Sequence, residues 1–167
     1  KGKNLICVSP DVGGVERTRA LARKLDIGIA IIDKRRPTPG KSQVMNVIGN
    51  VNNKTCIIVD DIIDSGGTIV NAAQALINRG AKEVHVYITH GVLSGEAVEK
   101  IKKSKIKKLV ITDTIDNSSK VKKAKNIAMD IYSSIPERFK AANPEATRRE
   151  SIATGPTANF LDVPIKA

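Results

Sequence analysis

Short apolar segments alternate along the chain with longer segments whose apolar residues recur at helical spacing. The short segments have the length and β-branched content of strands: Leu5–Val8, Ile27–Ile32, Thr55–Val59, Val84–Thr89, Lys108–Ile111 and Asn126–Ile131. The longer segments have the period of amphipathic helices: Val15–Leu25, Thr68–Arg79 and Ala97–Lys103. This alternation predicts a doubly wound α/β domain with a mainly parallel sheet and right-handed crossovers.

Two further segments complete the predicted organisation. Gln43–Ile48 is a short extended arm, which we expect to form a small β-hairpin flag with Ile27–Ile32 beside the main sheet. The α/β domain is predicted to span residues 1–132. Residues 133–167 carry several prolines and no clear period beyond a short helix at 137–142, so we expect a divergent C-terminal tail.

The most informative stretch follows the third strand. Asp60 and Asp61 end an apolar run, and Gly66-Gly67-Thr68 then opens a helix. Backbone N–H groups at a helix N-terminus bind phosphate, and glycines let the ligand approach closely. Hydroxyls of Ser65 and Thr68 would add donors, while the carboxylates would accept from sugar hydroxyls or hold a metal ion. Ribose 5-phosphate fits this combination, although a capped helix with a tight glycine turn is the structural alternative.

Two other segments have related chemistry. Gly13-Gly14 at the start of the first helix repeats the phosphate-cradle pattern, with Asp11 just before it. Lys34-Arg35-Arg36 lies next to prolines and a glycine, which predicts a mobile, exposed loop whose cations stabilise charge on phosphate oxygens. The structural alternatives are a turn residue at Asp11 and an ordinary basic surface turn.

Residues at the carboxyl ends of several predicted strands indicate one common site. Asp11, Lys34, Asp60 and His90 each follow or end a strand, and ligands of parallel α/β sheets bind at that edge. His90 either contacts a nucleotide or sugar there, or is structural.

These segments resemble, in order, three motifs of ribose-phosphate diphosphokinase. Ser9-Pro10-Asp11-Val12-Gly13-Gly14-Val15, followed by Arg17 and Arg19, is similar to its diphosphate-binding loop. Ile32 to Pro37, followed by Ser42 to Gly49, is similar to its catalytic flexible loop. The acidic pair and glycine turn resemble the phosphoribosyl-diphosphate motif, which type I phosphoribosyltransferases share. The resemblance spans roughly residues 4–114 and involves only the C-terminal half of that enzyme.

The resemblance implies a type I phosphoribosyltransferase-like fold and a specific activity. The enzyme transfers the diphosphoryl group of ATP to the 1-hydroxyl of ribose 5-phosphate, giving 5-phosphoribosyl 1-diphosphate and AMP. Lys34 and Arg36 would be catalytic, and Asp11 would help hold Mg²⁺ with a histidine of the family's other domain. Gly13 and Gly14 would face the diphosphate. The ribose 5-phosphate residues implied are Arg36, Asp60, Asp61, Asp64, Ser65, Gly66, Gly67 and Thr68.

The resemblance also implies a cytoplasmic, homo-oligomeric enzyme. The chain begins at Lys1, almost directly in a strand, so we expect a cut fragment or one piece of a split gene. Without the N-terminal half of the family, we expect it to bind ribose 5-phosphate but to turn over poorly or not at all. The alternative is a non-catalytic regulatory or sugar-phosphate-binding module of the same fold. A base-specific phosphoribosyltransferase would need a hood of stacking aromatics, which the few aromatic residues do not indicate.

Composition narrows the remaining classes. Aromatic residues make up 2% of the chain, so the core must be aliphatic and platforms for stacking nucleic-acid bases are scarce. The net charge of +11 comes from lysines on solvated faces, and we regard nucleic-acid binding as an unfavoured alternative. Cys7 and Cys56 lie inside apolar strands and are predicted to be buried thiols in a reducing compartment. No apolar run is long enough to predict a membrane span.

Overall fold

The computed structural model describes residues 4–35, 44–122 and 124–130, and within these ranges the chain alternates strands and helices. In chain order the elements are β1 (Leu5–Ser9), α1 (Val15–Leu25), β2 (Gly28–Arg35), β3 (Val44–Ile48), β4 (Thr55–Ile63), α2 (Gly67–Asn78), β5 (Glu83–Gly91), α3 (Ala97–Lys102), β6 (Ile106–Thr112), α4 (Ser118–Val121) and β7 (Ile127–Asp130).

The seven described strands form one sheet in the order β3-β2-β1-β4-β5-β6-β7. Five neighbouring pairs are parallel, and only β2 and β3 are antiparallel. The strand order reverses next to β1, where the chain runs to β2 on one side and β4 lies on the other. The predicted doubly wound, mainly parallel α/β fold is therefore confirmed. The predicted β2–β3 hairpin also forms, but it continues the main sheet, because β2 pairs with β1.

An aliphatic core covers both faces of the sheet, as the scarcity of aromatic residues requires. One face packs mainly Ile, Val, Leu and Ala against α2 and α3, with Ile58, Leu76 and Ile101 fully buried. The other face packs Cys7, Ile57 and Val59 against Ala22 of α1. These two layers hold the strands rigidly, and so fix the loops at their carboxyl ends.

Two strands extend further than their apolar runs predict. β4 continues to Ile63, and Asp60 pairs with Ile88 while Ile62 pairs with His90, because the parallel neighbour β5 extends the ladder past the acidic pair. β2 continues to Arg35, since the antiparallel partner β3 pairs Met45 with Lys34. Lys34 is thus a strand residue, and the expectation that it lies in a mobile loop is wrong.

Several sequence predictions lie outside the described residues. These are the position of Arg36, the course of residues 37–43 and the tail at 133–167 with its short helix.

Both cysteines are buried free thiols, and burial raises the pKa of Cys7 to about 12 and that of Cys56 to about 11. Among the described helices, none has the length and apolar character needed to cross a membrane.

Candidate functional site

The turn after β1 is closed by its own side chains. Ser9 Oγ donates to the carbonyl of Asp11 at 2.6 Å, and the Gly14 N–H donates to Asp11 Oδ1 at 3.0 Å. Thr18 Oγ1, one turn into α1, donates to the carbonyl of Gly14 at 2.9 Å. A Cβ at Gly14 would lie 2.9 Å from the buried Ser9 Oγ, so the packing of the turn favours a glycine here. We call residues Ser9–Gly14 the closed turn.

The turn after β4 is open by comparison. Gly66 adopts a left-handed conformation with φ of 75°, precedes α2, and no side chain caps the helix. A Cβ at Gly67 would meet nothing within 4 Å, and the side chains of Asp64, Ser65 and Thr68 are exposed. The first N–H groups of a helix have no partner within it. The open turn, residues Asp64–Thr68, therefore places helix N–H groups that have no partner within the helix beside the exposed side chains of Ser65 and Thr68.

Arg17 links the two strand ends. Its Nη1 lies 3.3 Å from Asp60 Oδ1 and 3.0 Å from Asp61 Oδ2, so one guanidinium bridges both carboxylates. Arg17 stands in the first turn of α1, directly after the closed turn. Asp60 and Asp61 stand near the end of β4, the strand beside β1. The adjacency of β1 and β4 thus creates the contact.

The two neighbouring aspartates differ electrostatically. Burial raises the pKa of Asp60 to about 6, helped by the nearby charge of Asp61 and opposed by Arg17, and its side chain is 15% exposed. Burial also works to raise the pKa of Asp61, but hydrogen bonds from Arg17 and Asp60 outweigh it and hold that pKa below its usual range. Adjacent carboxyls with divergent pKa values are typical of functional sites.

A second ion pair brings β2 to the same rim of the sheet. Lys34 Nζ lies 3.7 Å from Asp11 Oδ2, and the Lys34 side chain is mostly buried. The structure therefore gathers Lys34, Asp11, Gly14, Asp60 and the open turn at the carboxyl ends of β1, β2 and β4. Arg36, the other predicted catalytic residue, is outside the described residues.

His90 borders this rim from β5 and is hydrogen-bonded to the segment that follows β6. Its Nδ1 lies 3.0 Å from Thr114 Oγ1, and its ring is exposed. The hydroxyls of Thr112 and Thr114 both donate to the carbonyl of Thr89, which fixes the loop beside it. A ligand contact for His90 stays a prediction, with a structural hydrogen bond as its observed role.

Metal ligation within the described residues would depend on few carboxylates. No group of three or more His, Cys, Asp or Glu residues there is arranged to hold a metal ion. Asp11 Oδ1 is engaged by Gly14, and Oδ2 points to Lys34. Mg²⁺ commonly binds through one or two carboxylates plus substrate phosphates, with water completing the shell. One carboxylate at Asp11 fits a metal of this kind.

Sequence reasoning missed the bridging role of Arg17. A signal was present, because a cation in the first turn of a helix opposes the helix dipole and so calls for a nearby anion. Finding its partner required the order of the strands, since Asp60 is 43 residues away (60 minus 17) and lies in strand β4. The neighbouring β1 and β4 ends supply that partner.

The fold is that of the phosphoribosyltransferases. Residues 1–124 match the family described as "Phosphoribosyl transferase domain", and the chain belongs to that family. It is 60% identical over 125 residues to the ribose-phosphate pyrophosphokinase of Rhizobium meliloti, covering 75% of this chain and 40% of that protein. It is 62% identical over 120 residues to that of Bradyrhizobium diazoefficiens, covering 72% of this chain and 38% of that protein.

A solved structure agrees with these relatives. The phosphoribosylpyrophosphate synthetase of Mycobacterium smegmatis matches with a TM-score of 0.71 and 32% identity over 86% of this chain and 46% of that chain. The predicted resemblance to ribose-phosphate diphosphokinase and the phosphoribosyltransferase-like fold are both confirmed. The chain spans about 40% of the length of the curated relatives it matches.

Proposed function

We propose that this chain supplies the sugar-phosphate and diphosphate subsites of a ribose-phosphate diphosphokinase. In this reaction the diphosphoryl group of ATP passes to the 1-hydroxyl of ribose 5-phosphate, giving 5-phosphoribosyl 1-diphosphate and AMP. The observation that carries the proposal is the meeting of three strand ends at one rim. There Lys34 pairs with Asp11, and Arg17 pairs with Asp60 and Asp61. The reaction itself is inferred from the related ribose-phosphate pyrophosphokinases.

The open turn is the proposed site for the 5-phosphate. Its helix N–H groups and the hydroxyls of Ser65 and Thr68 are donors, and the helix dipole favours an anion at this position. No neighbouring atom lies within 4 Å of the point where a Cβ on Gly67 would be, so the space is open to a ligand, which supports the proposal. Asp60, Asp61 and Asp64 would accept hydrogen bonds from the ribose hydroxyls.

The closed turn is the proposed site for the diphosphate. Gly13 and Gly14 would face its oxygens at the start of α1. Mg²⁺, when bound, neutralises charge on the phosphates, and Asp11 is the carboxylate that would hold it there. Lys34 would stabilise charge on the transferring group as the 1-hydroxyl attacks the β-phosphorus in line. Arg36 is proposed to share this role and to contact ribose 5-phosphate.

The substrates of the assembled enzyme would be ATP and ribose 5-phosphate. Homo-oligomeric assembly and a cytoplasmic location are proposals of the same kind, based on the resemblance. The site needs no covalent intermediate, because positioning and charge stabilisation are the main contributions that a protein makes to phosphoryl transfer.

Calorimetric titration with ribose 5-phosphate in the presence of Mg²⁺ tests the sugar-phosphate subsite. We expect saturable binding to the 167-residue chain and at least about tenfold weaker binding to Asp60→Asn, because an amide replaces a charged acceptor. Asp26→Asn removes the same charge at the far end of α1 and is expected to bind like the original chain. Binding that is absent from the original chain, or unchanged in Asp60→Asn, would contradict the proposal.

A further inference from the structure

Arg17 lies between the two proposed subsites. Its backbone is in the first turn of α1, which begins immediately after Gly14, and its guanidinium reaches across to the carboxylates of Asp60 and Asp61. The Arg17 side chain is 39% exposed, so part of it is accessible from solvent. A partly exposed cation is thus anchored beside one proposed subsite and bound to the acids of the other.

The contacts that Arg17 makes compete with those proposed for the sugar. Each carboxylate oxygen bound to the guanidinium is less available to a ribose hydroxyl, and Arg17 contacts both members of the acidic pair. The guanidinium has five N–H donors in a planar fork and forms paired hydrogen bonds with phosphate oxygens as readily as with carboxylates. A diphosphate at the closed turn therefore offers Arg17 an alternative partner of higher charge.

We propose that Arg17 exchanges partners and thereby couples the two subsites. Without ligand it holds Asp60 and Asp61 together. When a diphosphate occupies the closed turn, the guanidinium binds its oxygens and releases the carboxylates to the sugar hydroxyls. This inference depends on the proposed function, because it needs both subsites, but it adds that binding at one strengthens binding at the other.

The coupling has a thermodynamic signature. If bound diphosphate raises the affinity for ribose 5-phosphate by some factor, ribose 5-phosphate must raise the affinity for diphosphate by the same factor. Couplings of this kind are typically about 5-fold to 150-fold. Arg17→Gln keeps a polar side chain but lacks the charge, so the competition for the carboxylates and the response to diphosphate should both disappear.

Calorimetry with magnesium pyrophosphate as the diphosphate probe tests the exchange. Ribose 5-phosphate is titrated into the 167-residue chain with and without saturating probe, and into Arg17→Gln in the same way. We expect at least about fivefold tighter sugar binding with the probe in the original chain and less than about twofold in Arg17→Gln. Without the probe, Arg17→Gln should bind the sugar as well as or better than the original chain. Arg23→Gln, in the last turn of α1, is the matched control and should keep the full coupling.

The outcomes separate this inference from the proposed function. Sugar binding that Asp60→Asn abolishes, with no effect of pyrophosphate in the original chain, would overturn the exchange and leave the proposed function standing. Full coupling in Arg17→Gln, or loss of sugar affinity in Arg17→Gln without pyrophosphate, would also overturn it. Absence of any sugar binding to the original chain would overturn both.

Discussion

Two glycine turns at the same rim of the sheet have opposite internal structure. In the closed turn, Ser9, Asp11 and Thr18 engage the backbone within 3.0 Å, and a side chain at Gly14 would collide with Ser9. In the open turn, no neighbouring atom within 4 Å occupies the space where a Gly67 side chain would lie. Glycine is therefore present at positions 14 and 67 for different reasons.

This difference distinguishes a glycine that is explained by the packing of the fold from one that we attribute to the proposed ligand. A glycine that the fold requires is explained by its neighbours, and the closed turn would be a preformed cradle whatever it binds. Gly67 has no such neighbour within 4 Å, and in the proposed function the close approach of the phosphate would account for it.

Gly67→Ala should have the largest effect of these variants, and it should act on ligand binding and not on stability. Alanine favours helix over glycine by up to about 1 kcal/mol, so thermal unfolding should occur at an unchanged or higher temperature. The methyl group would occupy the space proposed for the phosphate, and we expect sugar-phosphate affinity to fall about 100-fold, or about 2.7 kcal/mol. Calorimetry measures the affinity. Wild-type affinity in Gly67→Ala would remove the argument that a ligand uses this space.

Gly14→Ala tests the closed turn and should act on stability. The added Cβ would lie 2.9 Å from Ser9 Oγ, and overpacking of this kind costs roughly 1–3 kcal/mol in unfolding free energy. Ser9→Ala alone should cost about 1 kcal/mol by removing the hydrogen bond to Asp11. Denaturant unfolding measures each variant.

The double variant is the control for this collision. With the hydroxyl gone, Ser9→Ala/Gly14→Ala should be less destabilised than the sum of its single changes. Additive losses would show that the contact between Ser9 and Gly14 is not the reason for the glycine.

The unfolding free energy of Asp60→Asn, near the end of β4, should depend on pH differently from that of the original chain. Folding raises the pKa of Asp60 to about 6, so the stability linked to its protonation is fully present below about pH 4 and is lost as the pH rises through 6. The asparagine variant lacks this loss. Relative to the original chain, it should gain up to about 2 kcal/mol of unfolding free energy between pH 4 and 7.

Denaturant unfolding across this pH range measures the difference. Asp61→Asn offers a contrast of sign, because the pKa of Asp61 is lowered and its charged form is favoured by folding. Its variant should lose stability relative to the original chain as the pH rises from strongly acidic values. A flat difference for Asp60→Asn would show that burial does not disfavour its charge.

How much the sequence reveals depends on whether a feature is local. The apolar runs predict the strands of the sheet, because a buried strand has a local hydrophobic pattern. The glycine turns can also be located from the sequence, because they directly precede amphipathic helices. The extension of β4 through Asp60 and Asp61 was not predicted, since it is the ladder with β5 that carries the strand past two charges. The placement of Lys34 in β2 depends in the same way on pairing with β3.

The ion pairs of the rim are the least local features. Arg17 meets Asp60 only because β1 and β4 are neighbours, and Lys34 meets Asp11 only because β2 flanks β1 on the other side. Sequence reasoning placed Asp11, Lys34 and Asp60 at one edge from the rule for parallel sheets. It had no means of choosing which cation would pair with which acid.

The most direct test follows individual backbone amides during a titration with ribose 5-phosphate. In nitrogen–proton spectra of the labelled 167-residue chain with Mg²⁺, we expect the largest saturable shifts at Ser65, Gly66, Gly67 and Thr68, and smaller shifts at Gly13 and Gly14. Absence of saturable shifts at the four amides of the open turn would contradict the assignment of this turn as the phosphate site.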